Sequence, residues 1–138
     1  MSNVFSRNRK PTGLEYSDTR IDLLRELRRV TGNSNIFPKR TLYTDVVPLI
    51  KLFDEMSYYI DKAQTRFPVN ESALKERKEY IQLSIEAGEA LFRKLQDCVW
   101  AIESVTPDRV EQVGILLLKE LNLLRGWKKN CKIQKNGN

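Results

Sequence analysis

"LYTDVVPLIKLFDEMSYYIDKA", residues 42–63, is the stretch whose reading decides the fold. Leu42, Val46, Leu49, Phe53, Met56, Ile60 and Ala63 recur at spacings of 4-3-4-3-4-3. A period near 3.6 keeps such a set on one face of a helix, whereas a half-buried strand would hide every second residue. Thr44 is a candidate N-cap, which puts Pro48 within or just after the first turn, where its missing N–H does little harm. A start nearer Thr41 would instead make Pro48 distort the helix. "RFPVN", residues 66–70, ends it.

The same spacing continues downstream. Ile81, Ile85, Gly88, Phe92, Leu95, Val99 and Ile102 form a heptad-like seam on a helix that starts at Asn70 or Ser72. Gly88 on that seam costs up to about 1 kcal/mol of helix propensity and implies a close helix crossing. In "VTPDR", residues 105–109, Thr106 caps, Pro107 takes the first helical position and Asp108 meets the positive end of the helix dipole. The helix that follows turns Val110, Val113, Leu117, Leu121 and Leu124 inward, and Gly126 is a candidate C-terminal break. Upstream, Ser17 or Asp18 caps a shorter helix with Ile21, Leu24 and Leu27 inside, closed by Thr31-Gly32-Asn33.

Four amphipathic helices with short connections predict an all-α, antiparallel up-down four-helix bundle over residues 17–131. Its long helices, of roughly 25 residues, would span about 38 Å. A basic N-terminal arm (1–16) and a basic tail (132–138) flank it. Leu116, Leu123 and Trp127 form a second apolar stripe on the last helix, and Leu52, Tyr58 and Tyr59 widen the second. Apolar residues on more than one face imply burial on more than one face, either in a full bundle or at a subunit interface.

The chain has 138 residues, of which 41% are apolar and 30% charged, a composition that fits one globular domain. No apolar run approaches the length of a membrane span, and "MSNVFSRNRK" has no apolar signal core, so a cytoplasmic protein is expected. Cys98 and Cys131 would then be reduced thiols. With no histidine, a Ser-His-Asp or Cys-His site is excluded and imidazole-ligated metals have no ligand. No nucleophile-base pair, metal-ligand cluster or glycine-rich phosphate loop is present, so neither catalysis nor a cofactor is expected.

Charge is unevenly distributed. Residues 1–40 carry net +5, residues 41–118 net −4 and residues 119–138 net +5. Positive ends suggest a polyanion if both share a face. Arg25, Arg28 and Arg29 share part of a helix surface, with Lys39 and Arg40 just beyond. Arg125, Lys128, Lys129 and Lys132 have little acid nearby beyond Glu120, which can pair with Lys119 or reach Arg125. An antiparallel bundle brings the end of the last helix near the start of the first, which would merge the two groups into one patch. A solvated surface explains such clusters too, and the helix dipole accounts for one or two of the last cations. Lys75, Arg77 and Lys78 alternate with Glu71, Glu76 and Glu79, which intrahelical pairing explains. Trp127 can stack on a base or be buried, and the stripe it shares favours burial.

"NIFPKRTLYTDVVPLIKLFDEMSYYIDKA" and "VTPDRVEQVGILLLKELNLLRGWKK", with its closing Gly126-Trp127 and basic residues, resemble the second and last helices of the accessory variability determinant (Avd) proteins of diversity-generating retroelements. "ALKERKEYIQLSIEAGEALFRKL" matches the third in place and length, and the resemblance covers roughly residues 20–130. It implies a four-helix bundle assembled into a homopentameric ring. It also implies a basic surface that binds RNA or DNA, association with the element's reverse transcriptase, and no catalytic activity of its own. On this reading Arg25, Arg28, Arg29, Lys39, Arg40, Arg125, Lys128, Lys129 and Lys132 are candidate nucleic-acid contacts. Leu52, Tyr59, Leu116, Leu123 and Trp127 are candidate interface residues. The chain departs from the family in its longer basic arm and at Thr44-Asp45, where members often carry a Leu-Gly pair. A related bundle family, encoded within intervening sequences of ribosomal RNA genes, is the near alternative, although its usual second-helix motif is absent. A protein-docking bundle that binds no nucleic acid is another.

Overall fold

The computed structural model describes residues 15–134. Most of the expected N-terminal arm and the last four residues of the tail lie outside them. Four α-helices follow one another: α1 (Glu15–Thr31), α2 (Val47–Thr65), α3 (Glu71–Ala101) and α4 (Pro107–Asn130). No strand occurs among the described residues, and the chain is a helical bundle.

α2 and α3 run antiparallel. Asp45 meets Lys94 at one end of the pair and Arg66 meets Glu76 at the other. α4 returns along α3, with Lys128 on Gln82 and Arg125 on Glu89. α1 lies against α4, with a lighter contact to α2. The core runs through all four helices, from Leu23 and Leu27 on α1 to Leu117 and Leu124 on α4.

The entry to α2 differs from the expected cap. Lys39–Thr41 form a 3-10 turn and Leu42–Val46 a π-helical turn, and only then does α2 begin, with Pro48 in its first positions. Thr44 is inside this irregular turn and caps nothing. The helical path therefore begins ahead of Thr44, at Lys39, and the distortion that Pro48 demands falls just before it as a wide π turn. Leu49, Phe53, Met56, Ile60 and Ala63 are buried as their spacing predicts. Leu42 is 43% exposed, because the π turn breaks the period at that end.

On α3 the Asn70 side chain accepts from the Ala73 N–H at 2.8 Å, which settles the start. Ile81, Ile85, Gly88, Leu95 and Ile102 are buried, but Phe92 and Val99 are only half-buried, while Leu91 and Cys98 are fully enclosed. The reason is that α3 has a neighbour on each side. The track through Cys98 faces α2, where Cys98 reaches Asp45, and the track through Ile85 borders α4. Gly88 is the close crossing: a Cβ there would lie 2.7 Å from Leu121 Cδ2 and 3.0 Å from Met56 Sδ.

α1 includes Ser17 and Asp18, so neither caps it. Its buried face is Leu23, Leu27 and Val30, whereas Ile21 is 43% exposed and Leu24 half-buried. Because α1 leans mainly on α4, a narrow stripe at 23, 27 and 30 is enough. The stop at Thr31 is as expected, with the Gly32 N–H on the Arg28 carbonyl at 2.9 Å. On α4 every expected inward residue is buried. Gly126 does not end this helix, which continues to Asn130 with open space around the glycine. Trp127, Lys128 and Lys129 are thus helical residues, and the chain beyond them folds back so that the Gln134 N–H meets the Pro68 carbonyl at 2.9 Å. Glu120, expected to pair on the surface, is fully buried and meets neither Lys119 nor Arg125.

Candidate nucleic-acid interface

The antiparallel packing sets the first half of α3 beside the last turns of α4. Lys75, Lys78 and Gln82 follow one another at intervals of three and four on α3, and Arg125, Lys128 and Lys129 do so on α4. Two openings, of about 480 and about 500 Å³, lie between these rows. Both are lined by Lys78, Gln82 and Lys128, so they form one continuous trough.

Part of this trough is fixed. Lys128 Nζ donates to Gln82 Oε1 at 2.8 Å, and Gln82 Nε2 in turn donates to Glu86 at 3.1 Å. Arg125 donates to Glu89 at 2.9 Å and to Asn122 at 3.4 Å. These contacts hold the long side chains along the rim. Lys75, Lys78 and Lys129 have no ion pair among the described residues. Three carboxylates line the same trough, Glu71, Glu79 and Glu89, the last already joined to Arg125. Five cations against three acids leave it positive.

The alternating charges of the sequence suggest intrahelical pairs for Lys75 and Lys78. Neither lysine makes such a pair among the described residues, although Glu71 and Glu79 stand four residues to either side of Lys75, and Glu76 pairs with Arg66 just beyond α2. The signal for Lys78 is present in the sequence: positions 74, 75, 81 and 82 hold Leu, Lys, Ile and Gln, so no acid is within helical pairing reach. Arg77 has apolar residues at all four equivalent positions, and it lies inward, 5.1 Å from the centroid of the Trp127 ring. Trp127 is half-buried against the core with that face covered.

The other basic residues are elsewhere. Arg109 donates to the Asn35 carbonyl at 3.0 Å and the Ser104 hydroxyl to the Ile36 carbonyl at 2.7 Å. These bonds tie the chain after α1 to the start of α4. Lys39 and Arg40 follow directly, and Arg40 lines an opening of about 460 Å³ with Glu103, Ser104, Asp108 and Arg109. Arg25, Arg28 and Arg29 lie in the second half of α1, with Arg29 on Glu26 at 2.6 Å. That pairing holds the Glu26 carboxyl below its usual range. Arg109 and Arg125 are sixteen residues, or about 24 Å, apart along α4. The two basic groups therefore occupy opposite ends of the bundle. It is the start of α1 that approaches the end of α4, and the arginines are three turns further on. Lys132 is exposed beyond the end of α4.

Leu52, Leu116, Leu123 and Trp127 are half-buried and pack on the core of their own chain. Tyr59 stacks on Tyr80, with centroids 6.5 Å apart, and meets the edge of Tyr58 at 5.2 Å. Outside these stripes, which include Tyr58 at 55%, the most exposed apolar residues are Trp100 at 90%, Tyr43 at 81% and Ile115 at 52%. None of them is on a repeating seam, so periodicity does not single them out. Among the described residues no group of carboxylates and cysteines is placed to hold a metal ion, and no helix is long and apolar enough to cross a membrane.

No family model, curated protein or solved structure matches this chain.

Proposed function

We propose that this protein is a non-catalytic, nucleic-acid-binding accessory protein of a diversity-generating retroelement, working with the element's reverse transcriptase. The observation that carries the binding role is the α3–α4 trough, where Lys75, Lys78, Arg125, Lys128 and Lys129 face one concave strip. Phosphate contacts of this kind give affinity without sequence readout, which suits a protein that must hold template RNA and its cDNA alike. The assignment to retroelements rests on the Avd-like segments around Phe37-Pro38, the second helix and Gly126-Trp127.

Replacing Arg125, Lys128 and Lys129 together with Gln should abolish retention of RNA and DNA in a gel shift while the helical circular dichroism is kept. Retention by that variant would remove the trough from the reading. Co-purification with the reverse transcriptase encoded beside it tests the second half of the proposal, and the absence of such a neighbouring gene would refute it.

The proposed assembly is an antiparallel bundle that forms a homo-oligomeric ring, a pentamer by resemblance. Exposed Trp100, Ile115 and Leu118 supply apolar surface for a second copy. Light scattering should give a mass several times 16.1 kDa, and a monomer at micromolar concentration would end the ring proposal.

A further inference from the structure

The trough between α3 and α4 has two kinds of lining. Lysines and Arg125 stand along its sides, and half-buried Leu74 and buried Ile85 lie beneath them. A polyanion recognised by charge alone needs only the cations. An apolar floor under a cationic rim suits a ligand that is charged along one edge and flat and apolar along the other. An unpaired nucleotide has that form, because its phosphate is ionised and its base face is free to pack. In a duplex the base faces are stacked inside and only their edges reach a groove.

Width points the same way. Packed helices have axes about 8–10 Å apart, whereas the major groove of a duplex alone is about 12 Å wide. A strip one helix spacing wide suits a single strand better than a duplex. The acids add to this: Glu71 and Glu79 at one end would repel a second line of phosphates. Glu71 to Glu89 covers eighteen residues of α3, about 27 Å. That length matches about eight nucleotides at about 3.4 Å each along one strand.

We propose that the α3–α4 trough binds single-stranded nucleic acid in preference to duplex, with phosphates on the lysines and bases toward Leu74. This rests on the nucleic-acid reading above and narrows its ligand class.

The test uses the full chain and fluorescence anisotropy at physiological salt. The probes are a labelled RNA of about twelve nucleotides, the same sequence as single-stranded DNA, and its duplex. Both single strands should bind at least about tenfold tighter than the duplex. Lys78→Glu and Lys128→Glu should each weaken single-strand binding by about tenfold through lost and reversed charge. Leu74→Ser, which leaves the charge untouched, should shrink the preference for single strands. Equal or tighter binding of the duplex overturns the strand preference and leaves the nucleic-acid reading standing. Failure to bind any of the three probes overturns that reading itself. Undiminished single-strand binding by Lys78→Glu and Lys128→Glu places the ligand outside the trough and overturns the proposal.

Discussion

Lys94 Nζ donates to the carbonyl of Thr44 at 3.1 Å. That carbonyl is four residues before Pro48, whose ring nitrogen has no hydrogen to offer it. A lysine from α3 thus supplies the donor that the proline removed from α2. It also reaches Asp45 Oδ1 at 3.2 Å. Burial works against the charge on Asp45, but the Thr44 hydroxyl and Lys94 together hold its carboxyl below the usual range. Lys94→Met keeps the stem and deletes the donor, so it should cost about 1–3 kcal/mol. Urea denaturation measures this, and an unchanged midpoint would mean that water replaces the ammonium without loss.

Glu120 is the buried exception in the core. Neither of its carboxylate oxygens has a hydrogen-bond partner. Arg20, the cation whose field reaches it, directs its Nη1 to the Ser57 carbonyl and Asp61, each at 3.1 Å. Burial pushes the Glu120 carboxyl up from 4.5 to about 8, with Arg20 opposing weakly. Between those values the folded protein keeps a proton that the unfolded chain releases, so the contribution to stability falls as pH rises and levels off above about 8. The loss is on the order of 5 kcal/mol. Glu120→Leu should remove it. The stability gap between variant and wild type should therefore widen from pH 4 to pH 9, and a gap independent of pH would show that Glu120 is solvated.

The helical glycines divide by what surrounds them. Gly114 and Gly126 have open space where an alanine methyl would stand, so Gly→Ala at either should stabilise the protein by about 0.5–1 kcal/mol. At Gly88 the same propensity gain meets Leu121 and Met56, both fully or almost fully buried. Gly88→Leu should lose more than about 3 kcal/mol or fail to fold, since overpacking of a tight crossing displaces backbone. Thermal melts of the three variants give the comparison.

The two thiols should react very differently. Cys98 is buried and donates to Asp45 Oδ1 at 3.7 Å, and burial followed by the Asp45 charge raises its pKa to about 12. Cys131 is partly exposed beyond α4. A maleimide reagent at neutral pH should modify one thiol in the native protein and two after unfolding, since only the thiolate attacks. Rapid native labelling of Cys98 would show that the α2–α3 contact opens.

The second and last helices are legible in the sequence because a strict 3-4 spacing leaves one solution when one face is buried. Leu49 to Ala63 and Val110 to Leu124 lie inside for that reason. On α3 two tracks, through Ile85 and through Cys98, satisfy the same spacing, and only the presence of α2 on one side and α4 on the other assigns each. Ile21 on α1 departs from its expected burial for a related reason: this helix leans on one main neighbour, and a short helix has few repeats to fix its phase. At Gly126 local propensity points to a break, yet the helix runs on.

The candidate site divides along the same line. Amino-acid order alone determined that the chain is helical, where α3 and α4 begin and where α1 and α2 end, and that its cations gather toward the ends of the sequence. Whether those cations meet is a matter of direction and length in space. Antiparallel packing set Lys75 and Lys78 opposite Arg125 and Lys128, and left Arg28 and Arg40 toward the other end, where Arg109 is about 24 Å from Arg125 along α4. It also turned Glu76 to Arg66 and enclosed Glu120, which shares the 4-3-4 spacing of Val113, Leu117 and Leu124 and whose charge alone argued for the surface. Spacing fixes the face of a helix, but partners come from packing, because a side chain seeks the nearest compatible group in three dimensions.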